Sequence, residues 1–103
     1  MIRITLTQKE NELEQIQIKG HAMYDDYGKD IVCAGVSSIL TTTVNAILKF
    51  SKEAITIEDQ KDEFILTINQ KDKITKKLIE NMVELFYELE ASYPKNITIR
   101  KRG

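Results

Sequence analysis

The chain has 103 residues and a formal charge of −1 at pH 7. That length suits one domain, 1–103, and the near-neutral balance excludes a general pull toward nucleic acid or an anionic membrane. A single cysteine excludes an internal disulfide. The start "MIRITLTQKE" is no signal peptide, and no stretch is read as reaching the ~20 apolar residues of a membrane span. A soluble protein of a reducing compartment, the cytoplasm, is expected.

"MIRITLT" alternates Ile2, Ile4 and Leu6 with Arg3 and Thr5, which predicts a strand with one buried face. The polar turn "QKEN" follows. "LEQIQIKG" resumes the alternation with Ile16 and Ile18, which predicts a hairpin ending at Gly20-His21. Residues 22–30 lack periodicity and read as a loop. Asp30 then reads as an N-cap, its carboxylate accepting from backbone N–H groups of the next turn. From Ile31 to about Lys49, Val32, Val36, Ile39, Leu40, Val44 and Ile47 fall on one helical face.

"EAITIE" and "EFILTIN" around "DQKD" predict a second hairpin. Asp72 is expected to cap a second helix lined by Leu78, Ile79, Met82, Val83, Phe86 and Leu89 and ended by Tyr93-Pro94. "NITIR" is a short last strand. The order is ββαββαβ, and alternating rather than wholly apolar strands leave one sheet face polar. The fold class is α+β: a two-layer sandwich, mostly antiparallel, with two helices on one face. Strand order is not readable.

His21 and Cys33 are the chain's sole histidine and sole cysteine. With Asp30 as cap, Cys33 falls in the first turn, near orphan backbone N–H groups and the positive end of the helix dipole. Both favour the thiolate, the nucleophilic form. The dipole contributes only about 0.3–1 kcal/mol at an exposed site, so a nearby imidazolium is needed for strong activation. Taken alone, Cys33 reads as a small core hydrophobe and His21 as a strand-end residue. A layered fold allows the loop's two ends to bring them together. Ser37, one turn after Cys33, reads as helix packing or as a contact to it.

Other chemistry is poorly supported. There is no second thiol for disulfide exchange, no metal-ligand spacing, no phosphate-binding glycine loop, and no cofactor is expected. The segment "AMYDDYGKD" pairs Gly28, a hinge candidate, with Asp25 and Asp26, while Tyr24 and Tyr27 suit stacking on a substrate. A closing loop of this kind would exclude water and position a peptide.

"GHA", a short loop and then "YGKDIVCAGVS" resemble the signature of the bacterial ribosomal-processing cysteine protease family, Prp. The matching positions are Gly20, His21, Ala22, Gly28, Asp30, Ile31, Val32, Cys33, Ala34, Val36 and Ser37, while Met23 and Gly35 fall where variation is expected. Length and element order fit as well. The resemblance implies Cys33 as nucleophile and His21 as base, with Gly20, Asp30 and Ser37 supporting. It also implies a homodimer and a specific substrate, the precursor of large-subunit ribosomal protein number twenty-seven, whose N-terminal extension is cut after a pair of aromatic residues.

The chemistry expected is acyl transfer: thiolate attack, protonation of the leaving amine by imidazole, then hydrolysis. Backbone N–H groups at the helix start, that of Cys33 included, would hold the oxyanion. Capping the helix and orienting His21 are competing uses of the Asp30 carboxylate, and capping is preferred. The rival reading is a non-catalytic ribosome-associated module that grips a peptide. An RNA-binding domain is disfavoured by net charge and by few strand aromatics, so no direct nucleic-acid or membrane partner is expected.

Overall fold

The computed structural model describes residues 1–20 and 27–103, with the side chains of 1–20 and 31–103. The elements are β1 (Ile2–Lys9), β2 (Glu12–Lys19), α1 (Tyr27–Phe50), β3 (Ile55–Asp59), β4 (Glu63–Ile68), α2 (Lys73–Ser92) and β5 (Ile97–Arg102). This is the expected ββαββαβ order. The five strands form one sheet in the order β3-β4-β2-β1-β5, with β1 and β5 parallel and the other pairs antiparallel.

Two-residue alternation places Ile2, Ile4, Leu6, Ile16, Ile18, Leu66, Ile68 and Ile97 on one buried face. Against it pack Val32, Val36, Leu40 and Ile47 of α1 and Ile79, Met82 and Phe86 of α2. Ile39 and Val44, and likewise Leu78, Val83 and Leu89, are only half-buried at the flanks of their helical stripes.

The connections fix the helix directions. α1 leaves from the Gly20 end of β2 and returns to Ile55, which pairs with Ile68. α2 leaves from the Ile68 end and returns to Ile97, which pairs with Ile2. The helices therefore run in opposite directions. They meet closely where Gly35 faces Leu89: a Cβ on Gly35 would lie 3.3 Å from Leu89 Cδ2.

Asp72 caps α2 as expected. Its carboxylate accepts from the Thr75 N–H at 3.1 Å and from the fully buried Thr75 hydroxyl at 2.7 Å. These bonds hold the Asp72 carboxyl below its ordinary value, the Thr75 hydroxyl being the larger cause. Tyr93 closes the helix, its N–H donating to the Leu89 carbonyl at 2.9 Å.

Four expectations are corrected. The first hairpin turn is shorter than "QKEN": β1 runs to Lys9, which pairs with Glu12, and only Glu10 and Asn11 turn, with φ of 54° and 66°. Positive φ at both central residues is the two-residue turn whose twist matches its strands. Next, α1 begins at Tyr27, so residues 27–30 are helical and Asp30 is not the N-cap. Gly28 accordingly belongs to the first helical turn and is not a loop hinge. Finally, Ile31–Phe50 is long and apolar enough to cross a membrane by length and composition, with a mean hydropathy of 1.8. One side of that stretch instead packs on the sheet through Val32, Val36, Leu40 and Ile47.

Candidate active site

β2 delivers the chain to the site through Gly20. Its φ is +74°, and an added Cβ would lie 2.6 Å from the Met1 carbonyl oxygen, a backbone atom. Only glycine fits such a left-handed, close-packed position. The Gly20 N–H donates to the Asp62 carbonyl at 3.4 Å, so the exit from β2 is tied to β1 and to the β3–β4 turn. His21 follows directly in the chain and lies outside the described residues, as do Tyr24, Asp25 and Asp26. For Tyr27, Gly28 and Asp30 only the helical backbone is described.

Cys33 is the seventh residue of α1. Its neighbours Val32 and Val36 are fully buried in the core, whereas Ile31 and Ala34 are exposed. Cys33 lies on the border between these surroundings, half-buried and packed against the core cluster. Ser37 is half-buried one turn further along. Cys33 thus shares the half-buried border of the helix layer with Ile39 and Val44.

The earlier helix start changes the electrostatics. In a helix beginning at Tyr27 the Cys33 N–H belongs to the intrahelical ladder, not to the four orphan donors. The dipole effect fades beyond the first turn, so it contributes little at Cys33. The orphan-amide and dipole arguments for a thiolate and an oxyanion site at Cys33 therefore do not hold for this helix.

Gly35, two residues after Cys33, was expected to be a variable position. The structure gives it a task, the close approach of α1 to Leu89. The sequence carried a signal for this, because glycine inside a helix costs about 1 kcal/mol relative to alanine and marks a packing need. A groove of about 460 Å³ lies elsewhere, between the β1–β2 hairpin and α2, lined among others by Leu6, Leu13, Val83 and Tyr87; among the described residues none of α1 borders it. Among the described residues no cluster of three or more His, Cys, Asp or Glu is placed to hold a metal.

Cys33 stands on the helix that follows the glycine exit of β2. The family model for cysteine protease Prp matches residues 1–98, and the chain belongs to that family of cysteine proteases. It is 30% identical over 103 residues to the ribosomal processing cysteine protease Prp of Staphylococcus aureus, covering 96% of this chain and 97% of the relative. A crystal structure of the S. aureus ribosomal processing protease Prp with a substrate peptide superposes with a TM-score of 0.89 at 27% identity, covering 99% of this chain and all of that one. A second structure of that protease, with a covalently linked product peptide, gives a TM-score of 0.85 at 27% identity over the same shares.

Proposed function

We propose that this cysteine protease removes the N-terminal extension of large-subunit ribosomal protein number twenty-seven, cutting after a pair of aromatic residues during ribosome maturation in the cytoplasm. The observation that carries the nucleophile assignment is the placement of Cys33, half-buried at the edge of the core on α1. The S. aureus protease has been crystallised with a covalently linked product peptide. A covalent adduct needs a nucleophile, and Cys33 is the sole thiol of this chain.

In this reading the Cys33 thiolate attacks the scissile carbonyl carbon. The tetrahedral intermediate collapses, the C–N bond breaks, and His21 gives its proton to the leaving amine. His21 then takes a proton from water, whose oxygen attacks the thioester carbonyl; the C–S bond breaks, releasing the acid product and the Cys33 thiolate. With α1 starting at Tyr27, Asp30 is relieved of capping, and its carboxylate orients the imidazole. Gly20 sets the direction in which the chain reaches His21, and Ser37 supports Cys33 from the next turn. Tyr24, Asp25 and Asp26, with Tyr27 and Gly28 of the first helical turn, form the substrate-facing segment.

The active species is a homodimer. Its support is the outer side of α1, which is uncharged from Ile31 to Leu48 and exposes Ile31 by 45% and Phe50 by 57%. Two copies of such a face meet without like-charge repulsion.

The experiment is incubation with a peptide spanning the aromatic pair. The parent cleaves it once, after that pair, while Cys33→Ala and Cys33→Ser leave it intact. Cleavage by both variants at the parental rate refutes the nucleophile, and cleavage at unrelated bonds refutes the substrate.

A further inference from the structure

The near-neutral charge of the chain conceals how its charges are sorted. Alternation turns Ile2, Ile4, Leu6, Ile97 and Ile99 toward the helices, so Arg3, Arg100 and Arg102 lie on the open sheet face. The parallel register sets Arg3 opposite Thr98, Thr5 opposite Arg100 and Thr7 opposite Arg102. On the other side of β1, Arg3 pairs directly with Lys19 of β2. All four cationic residues are exposed. Strand spacings place them within a patch of about 10 by 13 Å.

This patch carries few anions. Among the described residues, the acidic residues that the register places on the open face are Glu58 on β3, Glu63 on β4 and, at the hairpin end of β2, Glu12 opposite Lys9. Only Lys19 has an ion-pair partner, Glu63 at 3.9 Å. Among the described residues Arg3, Arg100 and Arg102 have none. Like charges directly opposed across a strand pair destabilise it, so the Arg3–Lys19 pairing is a standing cost that a bound anion would relieve.

The residues between the cations are Thr5, Thr7, Thr98, Gln15 and Gln17, which offer hydroxyls and amides. No aromatic side chain stands there to stack on a base, and no apolar centre is present to anchor a protein partner or enter a lipid surface. The chemistry that fits is a phosphate backbone, read by charge and hydrogen bonds and not by base identity.

We propose that the open face of β1, β2 and β5 binds the phosphate backbone of duplex RNA, seating the protease on RNA beside its protein substrate. The biological use rests on the reading that the substrate is ribosomal. The binding itself is measured separately.

The test uses a fluorescently labelled duplex RNA and the full chain, read by anisotropy. Four phosphate contacts give a log–log salt slope of about −3.6, so affinity falls roughly 150-fold between 50 and 200 mM salt. The triple variant Arg3→Gln, Arg100→Gln, Arg102→Gln loses most binding at 50 mM salt and its slope shrinks to about −1. The same three positions changed to Lys restore binding to within a few-fold, which separates charge from a folding defect. Cleavage of the isolated peptide is unchanged in both.

A parent that does not bind duplex RNA at 50 mM salt overturns the proposal. So does a Gln variant that binds like the parent, or loss of binding when Lys73, Lys76 and Lys77 of α2 are changed to Gln instead. Displacement of the RNA by poly-glutamate at equal charge concentration assigns the face to an acidic protein and also overturns it. Failure of the parent to cleave the peptide strikes the protease reading alone and leaves the RNA result standing.

Discussion

Replacing Gly20 by alanine probes the junction between the sheet and the chain that leads to His21, the proposed base. The φ of +74° is left-handed, where a side chain costs about 1–2 kcal/mol. The new Cβ would also stand 2.6 Å from the Met1 carbonyl oxygen, and a backbone atom cannot swing away as a side-chain tip can. Strain plus displacement of β1 gives about 2–4 kcal/mol, a large share of the roughly 5–15 kcal/mol holding a domain of this size. At about 4–8 °C per kcal/mol, the melting temperature falls by roughly 8–32 °C.

Circular-dichroism melts measure that loss. Peptide cleavage well below both midpoints measures the second effect, a fall in kcat/KM of tenfold or more as the chain leading to His21 is redirected; misplacement by ~1 Å can cost a hundredfold. Gly35→Ala is the internal control. Its Cβ would lie 3.3 Å from Leu89 Cδ2, a mobile methyl, and alanine favours the helix by about 1 kcal/mol, so stability changes by less than about 1 kcal/mol either way. If Gly20→Ala melts with the parent and cleaves at the parental rate, the steric account of this junction is refuted.

Phe86→Ala, at a fully buried site, costs about 3–5 kcal/mol in guanidinium unfolding, and a loss under 1 kcal/mol would contradict its place at the centre of the core. Asp72→Ala uncaps α2 and lowers the melting temperature by several degrees, whereas Asn at that position keeps most of the cap. Because the folded Asp72 carboxyl lies below its ordinary 3.8, its contribution is full above that pH and fades as pH falls through the lower folded value. The parent's advantage over Asp72→Asn should therefore shrink in acid melts below pH 3.8, and an advantage that grows there contradicts the assignment. For the homodimer proposed through the outer side of α1, Phe50→Glu, at the exposed end of that helix, shifts the species seen by sedimentation from dimer to monomer; a monomeric parent or an unchanged dimer refutes that contact.

The residues reveal much of this fold because much of it is local. Period-two alternation in "IRITLT" and "EFILTI" and the capping carboxylate of Asp72 act over a few neighbours, and each appears where those neighbours demand it. The start of α1 was less legible. Asp30 is a good cap by type, yet the helix runs on to Tyr27, and helix ends are where local preference is weakest. That shift removed Cys33 from the first turn and with it the dipole argument for its activation.

By itself, the order of residues determined the element sequence and the buried face of each strand. These follow from side-chain spacing along one chain. The tertiary structure alone decided that β5 lies beside β1, that Gly20 is wedged against Met1, and that Arg3, Lys19, Arg100 and Arg102 share one surface. Such contacts join residues far apart in sequence, so their charges and volumes sum only once the chain has closed on itself.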